Sequence, residues 1–386
     1  MSTILYLATS PITLNTLMRG HLAYMREAGH DVVAVSSPGD MLDEVAKREG
    51  VQIEALPMQR EISPFADLAS LVRLVVLLRR LKPDLINAGT PKAGLLGMLA
   101  SWLSRVPVRV YTLRGLRLET MSGANRLVSY WMERLASACA TNIICVSESL
   151  KELYVSEGLA GEDKVDVLGA GSSNGVDWAR FSSALPAHAD SSSDGVDDSG
   201  PVIGFVGRLV RDKGIDELLA AYEIVKKVVP SVRLTLVGEF ESGDALSSET
   251  RFAIENDASI FVAGFVEDTA EYYPTIDVLA FPSYREGFPN VPLEAASAGV
   301  PCVAFDATGS RDAIVHEQTG LLVLAGDSAA LGEALVRYLT DEKLRAVHGA
   351  AASARASRDY DPSVVWKNLD AYYNDLFGKR AVVRAQ

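Results

Sequence analysis

Two glutamates stand eight positions apart in the segment Glu286-Gly-Phe-Pro-Asn-Val-Pro-Leu-Glu294. The first lies in the loop after an apolar run, and the second lies within the helical pattern that follows. A carboxylate is suited to accept hydrogen bonds from sugar or ribose hydroxyls. Pro289 and Asn290 favour the start of a helix, whose free amides and positive dipole end attract a diphosphate. The segment therefore predicts an anion site flanked by two carboxylates.

Two basic residues that can neutralise such an anion, Arg208 and Lys213, stand in the segment Gly207-Arg-Leu-Val-Arg-Asp-Lys-Gly214. This segment follows the apolar run at 202–206, so both bases are expected where a strand ends and a helix begins. A departing nucleotide diphosphate gains negative charge as the glycosidic bond breaks. Fixed cations aimed at it stabilise that transition state more than the ground state. The chemistry that these residues predict is leaving-group catalysis without a metal.

Each of these signals also has an ordinary structural explanation. Glutamates at this spacing are typical of a solvated helix face. The two bases would equally fit surface charge or ion pairs with Asp212 or Asp216. The combination is more specific, because the two segments fall in separate strand-to-helix loops of one predicted domain.

The elements that position these residues follow from an alternation of short apolar runs with helical patterns, beginning with a strand at Ile4–Thr9 and a helix at Leu14–Ala28. Buried parallel strands flanked by helices explain such an alternation. It breaks across 182–200, a segment with few residues able to pack a core, and restarts at Val202. The predicted fold class is α/β, with two Rossmann-like doubly wound domains facing a central cleft. The predicted boundaries are residues 1–181 for the first domain, 182–200 for a flexible linker, 201–361 for the second domain and 362–386 for a final helix that crosses back to the first domain.

The net charge of −13 argues against nucleic acid as a partner. Its excess lies in the second half, because residues 1–180 hold about 19 charged residues of each sign. Three cysteines in apolar stretches indicate buried thiols in a reducing compartment. The first eight residues lack a basic leader and read as a buried strand, and no run reaches the roughly 18 apolar residues of a spanning helix. These features predict a cytoplasmic protein.

A metal site is not expected. The five histidines form no spaced cluster, and the one dense aspartate group, Asp194–Asp198, lies in the predicted linker. His21, on the first predicted helix, is expected to be a packed or solvated residue and is left out of the predicted site. No other cofactor is implied, since the molecule that releases the nucleotide diphosphate would be a substrate.

The chain resembles the retaining glycosyltransferases of the GT-B fold called family 4, over nearly its whole length. The second domain is similar to their donor-binding half in the segments 207–214, 237–239, 264–268 and 286–296. By that resemblance Arg208 and Lys213 would hold the donor diphosphate, and both would be catalytic together with Glu286, which would contact the transferred sugar. Glu294 would hold the ribose hydroxyls. The resemblance also places at the donor the residues Gly207, Gly264, Phe265, Val266, Phe288, Pro289, Asn290 and Val291, with 264–266 lining the base.

The first domain is similar to family members that build capsule, O-antigen or glycoprotein oligosaccharides on polyprenyl diphosphate carriers. The similar segments are Arg60-Glu-Ile-Ser-Pro64, Thr90-Pro-Lys-Ala-Gly-Leu-Leu-Gly97, Tyr111-Thr-Leu-Arg-Gly-Leu-Arg117 and Ser172-Ser-Asn-Gly-Val-Asp177. Many members carry a histidine in the loop after the fourth strand, where this chain reads Asn87-Ala-Gly-Thr-Pro91. No role of that histidine is carried over.

Four residues of the first domain are predicted to bind an acceptor phosphate: Thr90, Lys92, Arg114 and Arg117. Thr90 can cap the next helix, which would begin with Pro91 and present free amides beside Lys92. Arg114 and Arg117 would add to the same basic rim. The helix predicted at 65–81 is long, apolar and arginine-bearing, so it either lies against anionic lipid head groups or is a core helix with a solvated basic edge.

The predicted function is transfer of a hexose or N-acetylhexosamine from a nucleotide diphosphate, a UDP-sugar by family tendency, to a hydroxyl of a lipid-linked sugar at the inner membrane face. Two alternatives stay open, because a fold does not fix a reaction. One is a nucleotide-sugar epimerase or hydrolase on the same fold. The other is a non-catalytic subunit that binds a sugar nucleotide.

Overall fold

The computed structural model describes residues 1–59, 63–184, 200–241 and 243–385. The chain divides into two compact units, one of Met1–Asn174 with Pro362–Gln386 and the other of Gly175–Asp361. Most of the predicted linker at 182–200 and residues 60–62 of the segment Arg60-Glu-Ile-Ser-Pro64 lie outside the described residues.

The first unit is built on a seven-stranded parallel sheet in the order β3-β2-β1-β4-β5-β6-β7. Ile4, Leu5 and Ile86 of its central strands are fully enclosed, as expected for a sheet covered on both faces. Strand order reverses between β1 and β4, and ligands of open α/β sheets bind beyond the carboxyl ends of the strands at such a switch point. The strands are β1 Thr3–Leu7, β2 Asp31–Ser36, β3 Gln52–Ala55, β4 Leu85–Ala88, β5 Val108–Leu113, β6 Asn142–Cys145 and β7 Val165–Val167.

Helices cover both faces of this sheet. Helix α3 packs against α4, and α4 packs against α5, so these three form one neighbouring set. The helices before the unit boundary are α1 His21–Glu27, α2 Met41–Glu49, α3 Pro64–Leu81, α4 Pro91–Leu103, α5 Gly123–Cys139 and α6 Glu148–Ser156.

The single first helix predicted at Leu14–Ala28 is wrong. A π-helical segment, Thr13–Leu17, is followed by a break at Gly20, and α1 begins only at His21. Gly20 has φ +77°, and a Cβ there would lie 2.6 Å from the Trp366 ring. The buried Glu49 carboxylate accepts the amides of Gly20 and Ala23 at 3.0 and 3.1 Å, which satisfies the new helix end.

The second unit repeats the architecture with a six-stranded parallel sheet in the order β10-β9-β8-β11-β12-β13. Its switch point lies between β8 and β11. The strands are β8 Val202–Val206, β9 Arg233–Val237, β10 Ile260–Gly264, β11 Val278–Phe281, β12 Cys302–Phe305 and β13 Gly320–Val323. The helices are α7 Trp178–Ser182, α8 Ile215–Val228, α9 Ser248–Asn256, α10 Asn290–Ser297, α11 Ser310–Ala313, α12 Ser328–Thr340 and α13 Glu342–Asp359, and α14 Pro362–Ala385 ends the chain.

The boundary between the units falls after Asn174, earlier than the predicted residue 181. The segment that follows it packs within the second unit. Val176 N–H donates to the Tyr360 carbonyl at 2.8 Å, and the Trp178 indole donates to Ser353 Oγ at 2.9 Å. Helix α7 therefore belongs to the second unit because its backbone and side chains are satisfied there.

Helix α14 belongs to the first unit. The Asn87 amide donates to the Tyr373 hydroxyl at 2.6 Å, and His30 Nε2 lies 2.8 Å from an Asp370 oxygen. Tyr373 is fully buried in the core around β1. None of the described helices is both long and apolar enough to cross a membrane.

Candidate active site

Lys213 and Glu286 meet at the switch point of the second sheet. The Lys213 ammonium forms an ion pair with Glu286 Oε1, and both side chains are less than one-fifth exposed. The buried Ser283 hydroxyl donates to the same carboxylate oxygen at 2.9 Å and lies 3.4 Å from the ammonium. The loops after β8 and β11 thus place one cation, one carboxylate and one hydroxyl together.

The approach of the two loops depends on Gly214. It has φ +70°, and a Cβ at this position would lie 2.1 Å from the Pro282 carbonyl oxygen. The Tyr284 amide donates to the Asp212 carbonyl at 3.2 Å, which fastens the loops beside Lys213. Only glycine permits this backbone contact, so the Lys213-Gly214 sequence is what brings the ammonium to Glu286.

Arg208 is placed differently from Lys213. Its Nη1 donates to Glu241 Oε2 at 2.9 Å, and both side chains are about half exposed. An exposed pair of this kind contributes little to stability and leaves the guanidinium able to turn to another anion. Asp212 and Asp216 do not pair with Lys213, since Asp212 lies 3.4 Å from Arg285 and Asp216 accepts the Thr250 hydroxyl.

Helix α10 begins at Asn290, with Pro289 as its N-cap residue. This matches the predicted helix entry, and its first amides carry the positive end of the helix dipole. Asn290 Oδ1 is buried and has no hydrogen-bond partner among the described residues. The Phe288 side chain is buried against the Tyr360 ring, with ring centroids 5.2 Å apart.

Glu294 lies one turn further along α10. Its Oε2 accepts the Tyr273 hydroxyl at 2.7 Å and the Thr269 hydroxyl at 3.4 Å. Burial raises the pKa of the Glu294 carboxyl, and these hydrogen bonds oppose the rise. The carboxylate is therefore held in one orientation by two residues from the 269–275 segment.

The predicted base-lining segment follows β10. Gly264 has φ +69°, Phe265 is 72% exposed and Val266 is partly buried. Gly207 follows β8 with its amide bonded to the Val237 carbonyl at 2.9 Å. Val291, in the first turn of α10, is partly buried.

Ser283, Tyr273 and Thr269 were not identified from the sequence. Ser283 stands three residues before Glu286. This spacing alone does not predict a hydrogen bond between the two side chains. Tyr273 and Thr269 reach Glu294 from more than twenty residues away. Only the folded second unit reveals these contacts.

In the first unit, Thr90 and Lys92, which were predicted to bind an acceptor phosphate, both have partners within the protein. Thr90 occupies the N-cap position of α4 but makes no side-chain cap bond, because its Oγ1 bonds Thr9 Oγ1 at 2.6 Å. Lys92 is 8% exposed, and its ammonium donates to Asp67 Oδ1 at 2.7 Å. Its charge is already neutralised by a carboxylate of α3.

Arg114 and Arg117 do not form a common basic rim. Arg117 is exposed on the 3-10 helix Arg117–Thr120. Arg114 points inward, and its Nη1 donates to the Gly89 carbonyl at 2.9 Å. Among the parts of the chain that the structure describes, no three His, Cys, Asp or Glu residues are grouped as a metal would require.

Two protein-family models match the chain. The model of the family described as glycosyl transferases group 1 matches residues 200–341, and that of the glycosyl transferase 4-like domain matches residues 14–171. The two matches fall on the two units.

Three relatives match between 74% and 93% of the chain. The capsular polysaccharide biosynthesis glycosyltransferase CapM of Staphylococcus aureus is 36% identical over 358 residues, 93% of each protein. The Escherichia coli UDP-Gal:alpha-D-GlcNAc-diphosphoundecaprenol alpha-1,3-galactosyltransferase is 30% identical, over 74% of this chain and 73% of that protein. The Campylobacter jejuni N,N'-diacetylbacillosaminyl-diphospho-undecaprenol alpha-1,3-N-acetylgalactosaminyltransferase is 26% identical, over 87% and 89%.

The chain belongs to the family 4 glycosyltransferases of the GT-B fold. Solved structures agree on the fold. Anabaena HepE, in complex with UDP and glucose, superposes with a TM-score of 0.78 at 20% identity, covering 97% of this chain and 100% of HepE.

Proposed function

We propose that this glycosyltransferase moves a hexose or N-acetylhexosamine from a UDP-sugar to a hydroxyl of a sugar carried on a polyprenyl diphosphate, with retention of configuration and without a metal. The product extends a cell-surface glycan such as capsule or O-antigen, at the inner face of the membrane. The observation that carries the donor half is the Lys213–Glu286 pair at the switch point of the second sheet.

This pair can exchange its partners for those of a donor. Before the donor binds, the ammonium and the carboxylate neutralise each other, so neither charge is left unpaired. Donor sugar hydroxyls would donate to Glu286, and Lys213 would turn to the diphosphate. Charge on the leaving diphosphate grows during transfer, so Lys213 acts most strongly in the transition state.

Two further features support a diphosphate next to this pair. Helix α10 begins at Asn290, four residues after Glu286, and its free amides favour an anion. Arg208 is half exposed and held only by Glu241 in the described contacts, so it can add a second cation. Fixed cations and a helix end do here what a divalent metal does in other transferases.

The identity of the nucleotide and the stereochemistry are supported by relatives. The E. coli relative is named for a UDP-Gal donor, and HepE was solved with UDP. Both lipid-dependent relatives are named as alpha-1,3 transferases. The family resemblance implies retention of configuration. It also implies that Glu294 holds the ribose hydroxyls.

A lipid-linked acceptor is supported by the outer surface of α3, α4 and α5 in the first unit. Phe65 is 90% exposed, and Val76 and Trp131 are each more than 60% exposed. Exposed apolar residues recur along these helices at helical spacing, so they form stripes and not isolated contacts. The other exposed apolar residues of this surface are Leu68, Val72, Trp102, Leu103, Leu127, Val128 and Leu135.

The charge of this surface suits anionic lipid, although the chain as a whole is acidic. The three helices contain two carboxylates, and both are engaged: Asp67 by Lys92, and Glu133 by the Tyr111 and Tyr154 hydroxyls. Arg73 and Arg79 are exposed beside the α3 stripe. Apolar stripes with tryptophan and flanking arginine are typical of proteins that lie on a bilayer surface.

The donor is tested with a thermal-shift panel of nucleotide sugars, because a ligand bound only by the folded state raises the unfolding midpoint. The stabilising donor is then incubated with sugars on polyprenyl diphosphate, and the anomeric configuration of the product is read by NMR. We expect a UDP-sugar to stabilise and an α-linked product from an α-linked donor. An inverted product, or no transfer to any lipid-linked sugar, would contradict the proposal.

The membrane surface is tested by sedimentation with liposomes of neutral lipid alone and with added anionic lipid. We expect binding that needs anionic lipid and that weakens about tenfold in Val76→Ser with Trp131→Ser. The matched control is Phe252→Ser, which removes a similarly exposed apolar side chain from the second unit. Unchanged sedimentation of the double variant, or a dimer in light scattering that the double variant abolishes, would show that the surface meets something other than lipid.

A further inference from the structure

A small cavity of about 40 Å3 lies at the carboxyl edge of the first sheet. Asn87 of β4 and Thr112 of β5 line it, together with Arg114 and His21, and the loop 171–173 closes it after β7. A cavity of this volume has room for about three waters, which is comparable to the oxygens of one phosphoryl group. None of the functions argued above uses it.

Arg114 brings an uncompensated positive charge to this cavity. It is largely buried, its Nε is enclosed without a hydrogen-bond partner, and no ion pair in the described part of the chain includes it. Burial lowers the pKa of the guanidinium, although arginine stays charged. The guanidinium fits because residue 89 is glycine: a Cβ there would lie 1.7 Å from Nη1.

His21 adds a second unsatisfied polar atom. The side chain is 3% exposed, Nε2 bonds the Tyr6 hydroxyl at 3.0 Å, and Nδ1 has no partner among the described residues. Burial, and then the Arg114 charge, lower the His21 pKa to about 3, so the ring is neutral. Arg114 is therefore the one charged side chain among the residues that line the cavity.

His21 Nδ1 and Arg114 Nε, which have no hydrogen-bond partner among the described residues, belong to two residues that line the cavity. Together with the charge of Arg114 they favour a negatively charged ligand there. Elsewhere in the lining, the Thr112 hydroxyl donates to Asn87 Oδ1 at 2.9 Å, which fixes the orientation of both side chains. Ser172 holds φ +98°, an uncommon conformation for a residue other than glycine, and its amide donates to the Val146 carbonyl at 2.7 Å.

We propose that this cavity binds a phosphoryl group of the acceptor's diphosphate, with Arg114 as the charged donor and His21 Nδ1 as a neutral partner. This rests on the proposed function for the acceptor's identity. It replaces the predicted site at Thr90 and Lys92, whose groups are satisfied by Thr9 and Asp67. Arg114 binds and positions the acceptor and takes no part in bond breaking.

The test compares two acceptors with the same sugar, one on a short polyprenyl diphosphate and one on an octyl group without phosphate, at saturating donor. Arg114→Gln is expected to raise KM for the diphosphate acceptor about tenfold or more and to leave KM for the octyl acceptor within about twofold. Arg114→Lys should fall between, because it keeps a charge but not the planar fork. An equal change for both acceptors would show a structural role and overturn the proposal.

The matched control is Arg26→Gln. Arg26 Nη1 also donates to a backbone carbonyl, that of Glu49 at 2.9 Å, and also lies 1.7 Å from where a glycine Cβ would stand, at Gly50. It belongs to the same unit but lies away from the cavity lining. KM for both acceptors should stay at the wild-type value. If Arg114→Gln does not fold, the ratio of the two KM values in Arg114→Lys decides by itself.

Direct binding is measured by thermal shift with inorganic phosphate and with pyrophosphate, in excess UDP so that the donor site is filled. Wild type and Arg26→Gln should be stabilised by pyrophosphate, and Arg114→Gln should not. A shift that survives Arg114→Gln overturns the site. The thermal shift could instead depend on Arg114 while KM for the diphosphate acceptor does not depend on it. That result overturns the acceptor assignment in favour of free phosphate. If wild type transfers to no lipid-linked sugar, the proposed function fails, whereas transfer without dependence on Arg114 rejects this inference alone.

Discussion

Each of the two sheets has a lysine close to its topological switch point, and the protein uses the two lysines differently. In the second unit, Lys213 follows the first strand at the switch point and pairs with Glu286. In the first unit, Lys92 follows the fourth strand at the switch point and pairs with Asp67. The first pair is joined by the Ser283 hydroxyl and lies in two strand-to-helix loops, while the second links helices α3 and α4, which pack on each other.

The difference shows that the switch point alone does not make a residue functional. A pair can serve a ligand if its partners can be exchanged for the ligand's groups. Lys213 and Glu286 can do this because both stay partly exposed. Lys92 is 8% exposed, and if its ammonium turned away the Asp67 carboxylate would lose its cation. In the described part of the first unit, the buried polar atoms without a hydrogen-bond partner include Arg114 Nε and His21 Nδ1.

The largest effect is expected from Lys213→Ala. We expect turnover to fall by roughly a hundred- to a thousandfold, because one preorganised donor to the leaving diphosphate is removed. The matched control is Arg211→Ala, an exposed base two residues away, which should retain turnover within about threefold. Turnover of Lys213→Ala near wild type at saturating donor would remove the basis for the diphosphate assignment.

Arg208→Ala is expected to lower turnover to a similar or smaller extent, about a hundredfold. Its unfolding midpoint should stay unchanged, since the Arg208–Glu241 pair is exposed. Glu241→Gln frees the same guanidinium and should not reduce turnover. A loss of activity in Glu241→Gln equal to that in Arg208→Ala would show that the pair itself matters and not the cation.

Much of the fold followed from the sequence, because buried parallel strands read as short apolar runs. The alternation located both sheets and helix α10, whose predicted start at Pro289 and Asn290 agrees with the observed helix Asn290–Ser297. It missed β13 at Gly320–Val323 and the helices α12 and α13. The break at Gly20 was also missed, since it depends on contact with Trp366 from the opposite end of the chain.

The site was predictable where the order of the strands alone brings loops together, and unpredictable where side-chain packing decides which partner a charge has. Lys213 and Glu286 could be placed in facing loops from their strands alone. The contacts of Lys92 with Asp67 and of Arg114 with Gly89 could not be predicted, because they depend on how the loops and helices that follow the strands pack. Burial of a charge depends on such partners, and spacing in the sequence does not reveal it.

Lys92→Met tests the ion pair of the first unit, Lys92 with Asp67. We expect it to reduce the free energy of unfolding by about 2–4 kcal/mol, because Asp67 is left largely buried without its cation. Adding Asp67→Leu should recover most of the loss. Urea unfolding measures the free energy of unfolding of the single and the double variant. If Lys92→Met instead keeps its stability and raises KM for the acceptor, Lys92 is a ligand-binding residue and the contrast with Lys213 disappears.

Glu294→Gln is expected to raise the donor KM about tenfold with little change in turnover at saturation, because ribose binding is the same in ground and transition state. Tyr273→Phe should have a smaller effect, about threefold, since it removes one hydrogen bond that orients the carboxylate. The donor KM of Glu294→Gln and that of Tyr273→Phe are measured with the same nucleotide sugar. A turnover loss as large as that of Lys213→Ala would place Glu294 in the chemical step.

The smallest effect is expected from a chelator, which should change turnover by less than about twofold. The leaving diphosphate needs positive charge, and Lys213, Arg208 and the first amides of α10 can supply it without an ion. The site carboxylates are also unsuited to a shared metal, because Glu286 is bound by Lys213 and Ser283 while Glu294 is bound by Tyr273. Turnover is measured in excess EDTA and after adding magnesium or manganese. If EDTA abolishes transfer and either metal restores it, the charge that stabilises the leaving group comes from an ion, and Lys213 has a different task.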